Sequence, residues 1–338
     1  MSSSGSTLDV RQAWVSAQWA HDRPLVSCRF DPSGRFVFSG SEDTAVERFQ
    51  MTDGAKVMLT GGHASWVNAI GFSKDSAIAV TGACDGKLTW WDISSDAAKV
   101  IRSQPAHGTQ WVRSLAVSPD GTQVATGGND NVVRIWKLAD GSPIHEFKGH
   151  MKQVYSVTWH PSGQFLLSGD LGGSVRQWDL AAGKESRAFD ATPLFSFNGG
   201  QGVDFGGVRG LAISPDGKRV VAGGLYKASN PLGAVHEPLV LLFDWETLKL
   251  EKQMIAEGIT QGVIWRLVWL SDGTVMGANG GGNGGHLIFW KTDAEKDYHR
   301  FQLPNLVRDM DLHPDGIQVA TAHHDRHLRI TKLSAKPA

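Results

Sequence analysis

Short apolar runs, rich in Val, Ile, Leu, Trp and Thr, alternate with polar turns along the whole sequence. Residues 112–118 and 132–138 are typical, and their length and β-branched content predict strands. The inner apolar run of each unit ends in a polar turn. The turns fall at Asp31-Pro32-Ser33-Gly34, Lys74-Asp75-Ser76, Pro119-Asp120-Gly121, Pro161-Ser162-Gly163, Pro215-Asp216-Gly217, Ser271-Asp272-Gly273 and Pro314-Asp315-Gly316. Pro fixes φ and Gly accepts positive φ, so these predict tight hairpins. No long stretch has a helical apolar period, so the chain reads as all-β. Trp91, Trp136 and Trp178 close three successive units and stand 45 and 42 positions apart. Units of that length are too small to bury their own apolar faces, so neighbours must cover them.

The units share more than their period. Gly62-His63 and Gly149-His150 open two of them, with Ala20-His21 and Ala106-His107 as variants, and Trp91-Asp92 and Trp178-Asp179 close two. In these features the chain resembles the WD40-repeat family over nearly its whole length. The first four repeats match well, the fifth and sixth are stretched and the seventh is worn. The resemblance implies a seven-bladed β-propeller of four-stranded antiparallel blades. The units then span about 19–61, 62–105, 106–148, 149–203, 204–258, 259–304 and 305–334. It also implies a hydrogen-bonded relay of His, Ser/Thr, Asp and Trp in each blade, since buried polar groups need partners. The matching sets are His63, Thr81, Asp85 and Trp91, then His107, Thr126, Asp130 and Trp136. Blade four keeps His150, Ser168 and Trp178 but has Gly172 at the Asp position. Blade one has Phe49 for Trp; blade seven has Thr331 there and keeps Asp325. Looser blades are expected at these departures.

Outer strands are expected at 56–59, 99–102, 143–147, 185–189, 248–254 and 298–303. The seventh unit has none before the sequence stops. Residues 11–17, "RQAWVSA", precede the first repeat without a partner. The segment 11–18 is therefore expected to complete blade seven and remove the open sheet edge.

Charge and cysteine content narrow the class. The 338 residues include 33 Lys and Arg against 34 Asp and Glu, a net charge of −1. No basic excess supports nucleic-acid binding by the whole surface. Cys28 and Cys84 cannot build a disulfide framework and read as free thiols. "MSSSGSTLDV" lacks the charged and apolar regions of a signal peptide, and no run of 18 apolar residues occurs. These readings predict a monomeric cytoplasmic protein that binds neither membrane nor nucleic acid.

By the resemblance, the turns before the inner strand and between the second and third strands surround the channel mouth on one face. Three stretches there depart from the repeat length: 191–205, 226–238 and 278–286. Insertions gathered on one face often shape a site. The position after the first buried apolar residue of each repeat reads Val26, Asn68, Arg113, Tyr155, Arg209, Arg266 and Arg308, and in the family it rims the mouth. Trp66 and Trp111 stand two residues before Asn68 and Arg113. Converging cations need an anion, and Arg, Trp and Tyr are the types that dominate binding hot spots. The rim is therefore expected to seat an acidic peptide, a polypeptide C-terminus or a phosphorylated segment, because the guanidinium fork suits such groups. Pairing of each Arg with an acid such as Asp309 or Asp204, or with channel water, is the competing expectation.

Other motifs point elsewhere only weakly. "ANGGGNGGHL" lacks the Lys-Ser/Thr of a phosphate loop and is not followed by a helix, so a hairpin turn is expected. "TAHHDRHL" gathers His323, His324 and His327 around Asp325, yet Asp325 matches the relay acid and no metal is expected. No paired carboxylates or nucleophile motif stands out. The protein is expected to be a protein-interaction scaffold without cofactor, metal or chemistry of its own. The alternative is a propeller enzyme or small-ligand binder with a channel metal or acid–base site.

Overall fold

The computed structural model describes residues 7–95, 97–230 and 235–337. They form seven four-stranded antiparallel sheets arranged as the blades of a ring. The inner strands are Leu25–Phe30, Val67–Phe72, Val112–Val117, Val154–Trp159, Gly210–Ile213, Val263–Trp269 and Val307–Leu312. The core is seven apolar clusters, and each mixes side chains of adjacent blades. In one, Phe38, Val46 and Leu59 of blade one meet Val67, Ile70, Phe72 and Trp91 of blade two. That interleaving is what units of this length require. Among the described residues no helix is long and apolar enough to cross a membrane.

The ring closes as expected, with a shifted boundary. Trp14–Ala20 is the outer strand of blade seven, running from Trp14 opposite Lys332 to Ala20 opposite His327. Residues Val10–Gln12 form a 3₁₀ turn, because the Asp9 carboxylate accepts the Arg11 N–H at 3.0 Å. The strand therefore starts three residues later than the sequence indicated. The Asp9 N–H donates to the Leu333 carbonyl at 2.8 Å and ties the two ends together.

Relays form in blades two and three with the anticipated members. In blade three His107 lies 2.7 Å from Asp130 and 3.0 Å from Thr126, whose hydroxyl accepts from Trp136 at 3.1 Å. Arg134 joins Asp130 at 2.6 Å. Burial opposes the charge on Asp130, yet bonds from His107 and Arg134 bring its pKa down to about 2.

Blade four is not the loose blade that Gly172 suggested. Asp170, two residues earlier, sits 2.8 Å from His150 Nδ1, and the Ser168 hydroxyl lies 2.6 Å from His150 Nε2 and accepts from Trp178 at 2.7 Å. A relay needs an acid within reach of the imidazole, and the end of the second strand provides it as well as the following turn. In blade seven His323 takes the relay histidine's place from that same strand end. It lies 2.8 Å from Thr321 and 3.0 Å from the Asn305 carbonyl. Thr331 leaves its buried hydroxyl without a partner. In the same blade, His327 lies 3.0 Å from the Asp325 carbonyl.

The stretches of unusual length take different forms. Part of 191–205 is a small hairpin, Phe195–Asn198 with Val203–Gly206. The segment 226–238 lengthens the central hairpin of blade five, and residues 231–234 within it lie outside the described residues. The glycine run of blade six is not a loose loop: the ladder continues to Gly281 opposite Gly284. A Cβ at Gly280 would come within 1.9 Å of the Val307 carbonyl oxygen, and one at Gly285 within 2.0 Å of that of Asn305. The glycines let this hairpin lie against the backbone of blade seven.

Candidate binding site at the channel mouth

Each inner strand begins with an irregularity that builds the mouth. In blades one to four the ladder skips one residue, leaving Val26, Asn68, Arg113 and Tyr155 without a cross-strand partner. Blade seven skips Arg308, and in blade five the strand starts at Gly210, just past Arg209. A bulged residue is free to swing out of the sheet face. Here it faces the channel, and all seven rim positions predicted from sequence line one cavity of about 400 Å³.

Arg266 needs a correction. The ladder of blade six skips Trp265, and Arg266 pairs with Ala278. Val263, Ile264 and Trp265 form one apolar run, so the pattern left open which residue anchors the strand. Ile264 is fully buried and is the anchor. Trp265 is thus the rim residue, and Arg266 sits one level deeper, at the level of Asp309. There it meets Arg29, Asp309 and Asp311. Arg29 bonds Asp309 at 2.6 Å, while Asp309 and Asp311 accept the Cys28 and Phe30 N–H groups at 3.0 and 2.9 Å. Burial works against the charge on Arg29, but the two aspartates raise its pKa. Burial and then Arg29 lower that of Arg266, whose Nε has no hydrogen-bond partner. Burial raises the pKa of Asp311 and, more strongly, that of the Cys28 thiol. Arg29 and Asp311, absent from the sequence-derived site, were signalled by the alternation of their strands, which sets every second residue toward the channel.

The arginines of the mouth divide into two kinds. Arg308 is ion-paired with Glu42, so its charge is met internally. The acids anticipated as partners are taken: Asp309 by Arg29, and Asp204 by Lys152 at 2.6 Å. Arg113 and Arg209 have no carboxylate partner among the described residues. Arg113 donates to the Asn129 side-chain oxygen at 2.7 Å, and Arg209 to the Gly206 carbonyl at 2.8 Å. Their guanidinium groups alternate with aromatic rings instead. Arg113 lies 4.4 Å from the Trp111 ring and 4.6 Å from that of Tyr155; Arg209 lies 3.8 Å from Tyr155 and 5.5 Å from Trp265. Trp66 continues the row, 6.4 Å from Trp111, and both indoles are more than a third exposed at 39% and 37%. Burial lowers the pKa of both arginines, and Arg113 lowers that of Arg209 further. Stacking holds the two planes while leaving their edges able to donate to an anion. Asn68 is turned aside, donating to Cys84 Sγ at 3.0 Å and the Val112 carbonyl at 3.2 Å.

Comparison with known proteins places these features in a family context. The repeat model described as "WD domain, G-beta repeat" matches residues 15–47, 54–92, 98–137 and 141–179. Among curated relatives, apoptotic protease-activating factor 1 of Rattus norvegicus is 28% identical over 207 residues, 61% of this chain and 16% of that protein. The angio-associated migratory cell protein of Homo sapiens is 24% identical over 204 residues, 48% of this chain and 47% of the relative. Pre-mRNA-processing factor 19 of Oryza sativa is 26% identical over 163 residues, 47% of this chain and 31% of the relative. The matched region spans less than half the length of each of these relatives.

Proposed function

Since the chain belongs to the WD40-repeat family, with matches at four places and seven blades in a ring, we propose that it is a protein-interaction scaffold seating an acidic or phosphorylated segment, or a polypeptide C-terminus, on the channel mouth. One observation supports this reading above the others: Arg113 and Arg209 are held in place by Trp111, Tyr155 and Trp265 and have no carboxylate partner among the described residues. An anion arriving there meets donors that are oriented and partly desolvated, which raises the value of each bond. The exposed Trp66 and Trp111 rings supply apolar area beside the charge. The scaffold reading assigns no chemistry to the protein. Names of relatives such as the apoptotic and pre-mRNA-processing factors are compatible with scaffolds in assemblies, and a partner in this case is defined by its acidic groups.

The test is fluorescence anisotropy with acidic, phosphorylated and neutral peptides of equal length. Acidic or phosphorylated peptides are expected to bind preferentially. A bond to a charged group contributes about 1.5–3 kcal/mol, so Arg113→Glu with Arg209→Glu should weaken binding by at least about tenfold. Arg308→Glu should matter less, because Glu42 already occupies its charge. Equal binding of all three peptide classes, unaffected by the double substitution, would remove the mouth from consideration.

A further inference from the structure

Blade one has a charge inversion that the other blades lack. On the third strand of blades three and seven, Arg134 and Arg329 each bond the local aspartate, Asp130 or Asp325, at 2.6 Å. The corresponding residue of blade one is Glu47. It is fully buried, and its Oε2 atom has no hydrogen-bond partner. His21 is turned differently from the relay histidines of blades two to four. Those place Nδ1 toward the acid and Nε2 toward a hydroxyl. In blade one Nε2 faces both carboxylates, 2.8 Å from Asp43 and 3.0 Å from Glu47, and Nδ1 is buried without a partner.

We propose that His21 Nε2, Asp43 Oδ2 and a Glu47 carboxylate oxygen form a binding site for a divalent transition-metal ion. The three ligand atoms lie within 4.8 Å of one another. Ligands about 2.1 Å from a shared ion are separated by roughly 3.0–3.4 Å, so small adjustments admit the ion. With both carboxylates ionised the trio stays negative even if the imidazole is protonated, and an unbalanced buried charge is costly, which is why burial raises the pKa of Glu47. A dication with neutral His21 balances the charge. One nitrogen and two oxygens suit zinc or manganese better than calcium or copper(I). Asp43 is 29% exposed, which gives an entry path and room for water ligands. None of the three ligands lines the arginine mouth, so the site does not depend on what binds there. His21 directly follows the closing strand Trp14–Ala20, and its N–H bonds the Arg326 carbonyl at 2.8 Å. A bound ion would therefore fasten the clasp of blade seven to blade one.

The experiment titrates the chelator-treated full-length protein with zinc chloride by calorimetry and follows the melting temperature. One saturable site and a zinc-dependent rise in melting temperature are expected. Glu47→Arg restores the arrangement of blades three and seven, so it is expected to fold while losing zinc affinity at least 100-fold. Asp43→Asn, at a partly exposed position, is expected to lose at least tenfold. Absence of saturable zinc binding in the unaltered protein, or undiminished uptake by both variants, overturns the site.

Discussion

In blade three a closed relay joins a loop, two strands and a turn through His107, Thr126, Asp130 and Trp136. In blade seven the corresponding tryptophan is Thr331, the histidine comes from the strand end, and the outer strand arrives from the opposite terminus. The first blade is tied by contacts within one repeat. The second is tied by backbone pairing over more than three hundred positions. The same four-stranded shape thus tolerates loss of the relay where the clasp supplies order, and the two blades should fail under different insults.

Removing residues 1–20 should break the comparison most. Blade seven would lose its outer strand, the buried Val10, and the stacking of Trp19 on Phe49 at 5.5 Å. Burial of a valine alone contributes about 1.5–3 kcal/mol, so the total loss should exceed about 3 kcal/mol. Urea unfolding measures it, and an unchanged midpoint would refute the clasp.

Acid should separate the blades next. Burial, then Arg329, lowers the pKa of His323 from 6.5 to about 4. The folded value lies below the unfolded one, so the associated stability is present above pH 6.5 and is lost as pH falls toward 4. The full effect is of order 3 kcal/mol. The difference in unfolding free energy between the native protein and His323→Asn, followed from pH 7 to 4, should shift by that order. In blade three Asp130 is depressed to about 2, so its contribution is lost only between about pH 4 and 2.

A smaller contrast comes from single hydrogen-bonding groups. Trp136→Phe takes away the donor to Thr126 and should cost about 1–2 kcal/mol. Thr331→Val removes a buried hydroxyl that has no partner and should change stability by under about 0.5 kcal/mol, or raise it. Thermal melts of the two variants compare them directly. Equal losses would mean that the relay contributes nothing specific to blade three.

The period, the turns and the unpaired N-terminal segment made the ring legible in the sequence, because each follows from strand length and turn chemistry. Most of the rim was legible too, since one position per repeat faces the channel. Arg266 was misplaced by one residue because three apolar residues in a row hide the bulge. Asp170 was missed because an acid at either of two backbone positions reaches His150. Glu47 against Arg134 was visible in the aligned repeats, but its meaning required the buried carboxylate and the orientation of His21. Pairing is a three-dimensional fact, so the division of the arginines into Glu42-bound Arg308 and the acid-free Arg113 and Arg209 was out of reach.

The clasp also sets how the ring responds to tension. Trp14 lies opposite Lys332, and Ala20 opposite His327, so both termini leave from the same end of the closing pair. A load pulling the termini apart first breaks the bond between Asp9 and Leu333, then opens the pair rung by rung from Trp14. This is peeling, in which each rung bears the load alone, rather than shear, in which all rungs share it. A tether at one terminus alone puts no such load across the clasp. Held at both, the ring has a built-in tear line between its first and last strands.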